Sequence, residues 1–172
     1  MKLFLLFFPL SSVLLVLQTT LWTMFLPHTP CPNTTLLIVL YLGIQAPLLS
    51  GGFISLFLGL LLDVFSGVTF GFHGIILLAI FIFTASLGRH LNGDNHLILP
   101  FATIIGTGAF ALFSVIVLLL FSDRDQVWVQ IISSIPIQIG VNMVAVIALR
   151  PLFTYLGRTA GLQPVHPLRR TS

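Results

Sequence analysis

The residues best suited to chemistry lie in Gly59-Leu-Leu-Leu-Asp63-Val-Phe-Ser-Gly67-Val-Thr-Phe-Gly71-Phe-His73-Gly74. Here a carboxylate follows a long apolar run, with glycines on both sides. An unpaired carboxylate is costly in hydrocarbon, so Asp63 needs a partner, a wet cavity or a function. One reading makes it a cap that ends a helix at the membrane interface. The other makes it a buried hydrogen-bonding post that fixes a helix packing or receives a partner, with His73 as its intramolecular partner. Gly67 and Gly71 are four apart, as are Ser55 and Gly59, and small residues at that spacing let helix backbones approach closely.

A second constellation lies near the C-terminus. Gln130, Ser134, Gln138 and Asn142 recur every four residues. On an α-helix such steps drift only about 40° per repeat, so the four form one slanting polar stripe. Polar side chains in hydrocarbon bond to neighbouring helices, each contributing about 0.6–2 kcal/mol. The stripe either holds helices together, the commoner use, or lines a solute cavity.

Beyond these, convergent catalytic groups are missing. The chain has no Glu, and no two of its four Asp lie close together within an apolar run. His28, His73, His90, His96 and His166 show no i,i+4 pairing, and Cys31 is the single cysteine. A metal centre, a disulfide and a cofactor site are therefore not expected. An intramembrane enzyme would need more than one Asp and one neighbouring His.

The elements that must position these residues follow from composition. Of 172 residues, 57% are hydrophobic and only 6% charged, with a mean hydropathy of +1.12. Soluble domains carry about 25% charged residues, so the bilayer is this chain's solvent. The pI near 9.8 comes from seven scattered Lys and Arg with no basic face, which argues against nucleic acid as a partner. The apolar run Leu3–Leu26 is too long for a signal peptide and lacks a small-x-small cleavage site, so it is expected to remain as a first membrane helix.

Phe70–Leu87, Leu97–Phe121 and Val127–Leu149 are each long enough to cross the roughly 30 Å core. Pro100 falls in a first turn, and Pro136 lies mid-span. Thr35–Leu62 as one helix would be about 42 Å long. Pro47 and the cluster Ser50-Gly51-Gly52 predict a break into short helices at about 34–49 and 53–68. The expectation is an all-α integral membrane protein of six transmembrane helices over residues 1–150, with a basic cytoplasmic tail over 151–172. With the N-terminus inside, six spans place Lys2, Arg89, Arg150, Arg158, Arg169 and Arg170 inside and only Arg124 outside, whereas five spans leave two basic residues outside. Arg158, Arg169 and Arg170 of the tail either rest on anionic lipid headgroups or, the commoner case, belong to a disordered tail that follows the positive-inside rule.

Gly59-Leu-Leu-Leu-Asp63, followed by Ser66-Gly67 and Gly71-x-His73-Gly74, resembles the central motif of the bacterial rod shape-determining MreD family. Chain size, sparse loops and short second and third helices are similar too. The resemblance implies a bundle like the substrate-binding subunits of energy-coupling-factor transporters. It also implies a non-enzymatic role in the inner-membrane complex that builds lateral peptidoglycan. The implied partners are MreC directly, then MreB, RodA and a class B penicillin-binding protein, with a homodimer as a further option. Carried over from the motif, Gly59, Asp63, Gly67 and Gly71 are the positions expected to matter.

Two function classes compete. A scaffold would work through helix–helix contacts in the bilayer. A solute-binding transporter subunit would grip a small ligand with the polar stripe and Asp63. Such subunits carry an Ala-x-x-x-Ala patch on the first helix, and this chain has no Ala before Ala46.

Overall fold

The computed structural model describes residues 9–16, 24, 31–66, 71–90, 98–121 and 127–161, with the side chains of 89–90, 117–121 and 127–130 left aside. The described residues form six helices. Helix α1 is described over residues 9–16. It is followed by α2 (Thr34–Gln45), α3 (Leu48–Ser66), α4 (Phe72–His90), α5 (Ile98–Phe121) and α6 (Val127–Thr159).

Helix α2 is the centre of the bundle. Leu36, Leu37, Ile38 and Val39 are all fully buried, and four consecutive buried residues mean that every face of the helix is covered. Helices α3, α4, α5 and α6 all pack against it. The outer helices point large apolar side chains outward instead: Leu49, Ile75 and Val144 each expose more than two-thirds of their surface. That pattern suits hydrocarbon as the surrounding solvent. Leu48–Ser66, Ile98–Ile116 and Ile131–Thr159 are long and apolar enough to cross a membrane, while Thr34–Gln45 and Phe72–Gly88 are shorter apolar helices.

Two expectations about boundaries need correction. The break between α2 and α3 falls at Ala46-Pro47, not at Ser50-Gly51-Gly52. Proline disfavours helical backbone in the residue before it, and Ala46 is extended (φ −93°, ψ 151°). Gly51 and Gly52 lie inside α3, where they make room for a ring: a Cβ on Gly51 would come within 2.6 Å of Phe81. Secondly, α6 does not stop near Leu149 but continues through Pro151 to Thr159. Phe153 is fully buried, its ring centroid 5.4 Å from that of Tyr41, and Gly157 lies against the Tyr41 hydroxyl. This packing against α2 carries the helix past the backbone bond that Pro151 removes. Gly161 (φ +75°) then terminates it, its N–H bonding to the Arg158 carbonyl. Arg169 and Arg170 lie outside the described residues.

Candidate functional site

Asp63 sits one turn before the end of α3, fully buried, and turns its carboxylate to the start of α4. Oδ2 accepts the N–H of Gly71 at 2.9 Å and of Gly74 at 3.4 Å. Oδ1 accepts the N–H of His73 at 2.8 Å, and His73 Nδ1 lies 2.8 Å from the same oxygen. A carboxylate offers about four acceptor positions, and here all are taken. The first N–H groups of a helix have no intrahelical acceptor, and the N-cap residue usually supplies one. In α4 the cap position is Gly71, which has no side chain, so Asp63 performs the task from the neighbouring helix. The positive end of the α4 dipole adds to the attraction. Asp63 is thus a buried hydrogen-bonding post, and the helix it caps is not its own α3 but the following α4.

The glycines make this geometry possible. A Cβ on Gly59 would stand 2.6 Å from both the Gly74 nitrogen and the His73 carbonyl oxygen, so α3 and α4 meet there backbone to backbone. Gly71 has φ +96°, a conformation L-residues rarely adopt, and it turns its N–H towards the carboxylate. The His73 ring is held between an edge contact with Phe72 (4.8 Å) and a stack on Phe110 of α5 (5.9 Å, 17°).

The polar stripe of α6 does not act as one unit. Asn142 is fully buried and forms its core. Its Oδ1 accepts the Asn33 N–H at 2.8 Å, and its Nδ2 donates to Thr107 Oγ1 on α5 at 3.0 Å. Asn33 in turn caps α2, its Oδ1 accepting the Leu36 N–H at 3.0 Å. Gln138 Nε2 donates to the Cys31 carbonyl at 2.8 Å. Ser134 turns back on its own helix, donating to the Ile131 carbonyl. Two side chains thus tie three helices together, as the commoner reading of the stripe expects.

The two constellations share a cavity of about 370 Å³. His73 and Leu62 wall it on one side, Thr107, Phe110 and Ser114 on another, and Ser134, Gln138 and Asn142 on a third. The stripe therefore also lines a cavity, and helix-tying and cavity-lining are not alternatives here.

The model of the family described as rod shape-determining protein MreD matches residues 1–160. The chain belongs to the MreD family. No curated protein and no solved structure matches it. MreD-family membership makes this a membrane protein with a role in determining rod shape, in a structural rather than an enzymatic family. The match extends past Arg150 to the end of α6, in keeping with the packing of Phe153 and Gly157.

Of the residues singled out in the sequence, Gly59, Asp63, Gly71 and His73 come together at the α3–α4 corner. Gly67 and the side chain of Gln130 lie outside the described residues. Sequence reasoning missed Asn33 and Thr107. For Asn33 the signal was present, since Asn before Thr-Thr and an apolar run is an N-cap pattern. It also missed Gly43, Gly106 and Gly157, which pack against Thr84, Leu40 and Tyr41.

Proposed function

We propose that this protein is a membrane scaffold of the bacterial elongation complex, recruiting MreC through helix–helix contacts and, through it, MreB, RodA and a class B penicillin-binding protein. The observation that carries this is the match to the MreD family over residues 1–160. The geometry is in keeping with it. Buried polar groups at the corner and on α6 are spent on holding helices in place, which gives a rigid surface. In the most apolar stretch of Ile131–Thr159 only 11% of the residues are buried, so α6 offers exposed and half-buried side chains to lipid or to a partner helix. Between helices in a bilayer, shape and hydrogen bonding decide recognition, because lipid is as apolar as the helices.

The proposed setting is the inner membrane, with six spans in a bundle like that of energy-coupling-factor binding subunits and both termini in the cytoplasm. Residues 31–33, the end of α3 and the start of α4 then lie in the outer half. The basic residues Arg150 and Arg158 lie towards the inside, as the positive-inside rule requires.

The test is co-purification from native membranes. The wild type should bring MreC with it, and Gly59→Leu should lose both MreC and rod form. Gly108→Leu, on α5 at a site with nothing within 4 Å, should keep both. Retention of MreC and rod form in Gly59→Leu would defeat the proposal. The second reading, a solute-binding transporter subunit, is favoured by the cavity and opposed by the absence of any Ala before Ala46.

A further inference from the structure

The cavity has a structural origin. Helix α2 spans only about 18 Å, whereas α6 is about 50 Å long. The contact between Asn33 and Asn142 sets the start of α2 against the middle of α6, so about 22 Å of α6 precedes that point. The space beyond the α2 N-terminus is walled by α6, α5 and the α3–α4 corner, and no described helix fills it. At about 370 Å³ it falls within the 300–1,000 Å³ of small-molecule sites and exceeds what one or two structural waters need.

Its wall has hydrogen-bonding capacity to spare. Asn142 Oδ1 is committed to the Asn33 N–H, so its amide nitrogen must be the group that donates to Thr107. The Thr107 hydroxyl therefore accepts, and its own proton has no acceptor among the described residues, although the residue is 2% exposed. Gln138 donates twice through Nε2 and leaves Oε1 unused. Asp63 can only accept, so His73 donates through Nδ1, and its Nε2 has no partner among the described residues. Leu36, Leu62, Phe110, Ile131 and Ile135 supply apolar wall.

Among the described residues no Lys, Arg, Asp or Glu lines this space, and the Asp63 carboxylate behind His73 is saturated. A charged ligand would be buried without a counter-ion, which is costly. We propose that the cavity binds an uncharged ligand bearing hydroxyl or amide groups, received by Thr107, Gln138 and His73. This does not rest on the scaffold reading, since a scaffold and a transport subunit would keep the same cavity. The ligand chemistry has two possible sources: a lipid head entering from the bilayer, or a free solute entering from water.

Three probes separate these cases, using the full chain in phosphatidylcholine nanodiscs with bound copies counted by native mass spectrometry. N-oleoylethanolamine and N-acetylethanolamine carry the same amide and hydroxyl head with and without a chain, and N-oleoylglycine replaces the hydroxyl end with a carboxylate. Binding of the oleoyl amide alone identifies a lipid source, and binding of both ethanolamides a soluble one. N-oleoylglycine should bind neither tightly nor at one site. Ala111→Phe, which fills the cavity from its wall, should abolish binding. Gln138→Leu should weaken it about tenfold through a lost hydrogen bond, and its thermal unfolding shows whether the fold persists. The proposal is overturned if neither ethanolamide binds, if N-oleoylglycine binds equally well, or if both variants leave binding unchanged.

Discussion

Gly59 of α3 faces Gly74 of α4 with no side chain between them, and this backbone contact sets the depth at which Asp63 meets the first turn of α4. Four residues separate Gly59 from Asp63, a little more than one helical turn, so both lie on the face that α4 covers. A methyl at Gly59 must push the helices apart, and the neighbours it meets are backbone atoms that cannot turn aside. Gly59→Ala is expected to destabilise the protein by about 1–3 kcal/mol in thermal unfolding. Gly140→Ala, on an open helix face, should be neutral or stabilise by about 0.5–1 kcal/mol.

Asp63 is replaceable only in part. Asn keeps one acceptor oxygen but points an N–H₂ at donors, while Leu leaves every donor of the α4 start without a partner. Each buried donor left unsatisfied costs about 1–3 kcal/mol. Asp63→Asn should therefore unfold at a temperature between wild type and Asp63→Leu, and retain more MreC on co-purification. Equal loss in both variants would show that the charge matters more than the hydrogen bonds.

Gly71 isolates the backbone contribution. No atom lies within 4 Å of a Cβ placed there, so Gly71→Ala creates no clash. Its φ of +96° alone makes the substitution unfavourable, by about 1–3 kcal/mol. Gly161→Ala, also at positive φ but at the end of α6, should fray only that end, and hydrogen exchange would separate a local from a global effect.

Asn142 and Thr107 should behave as a coupled pair. Asn142→Leu strands the Asn33 N–H and is expected to cost about 1–3 kcal/mol. Thr107→Val removes the acceptor for Asn142 Nδ2, at about 0.6–2 kcal/mol. The double variant should cost less than the sum, because the shared bond is lost once. Strict additivity in thermal unfolding would contradict the hydrogen bond between them.

Cys31 reports topology. It lines the cavity and precedes α2, on the outer side if there are six spans and a cytoplasmic N-terminus. A membrane-impermeant maleimide should label it in intact cells permeable only at the outer membrane. Labelling confined to lysed cells would reverse the orientation.

The chain by itself determined its solvent, its helical class and its unusual carboxylate. With 6% charged residues, no other surrounding than lipid suits it, and a lone Asp among glycines identifies a corner on local grounds. Even the Asp63–His73 pair was within reach, because its two residues are only ten apart in sequence. The tertiary structure decided what depends on distant segments. Asn33 and Asn142 are 109 residues apart, and no local pattern says which amide of a stripe meets which helix end. The break at Ala46-Pro47 follows from the restriction that Pro47 places on Ala46, whereas α6 continues past Pro151 because packing on α2 outweighs the backbone bond lost there. The cavity belongs wholly to this level: it exists because a short buried helix stands among longer ones, and helix length in a bundle is set by neighbours as much as by residues.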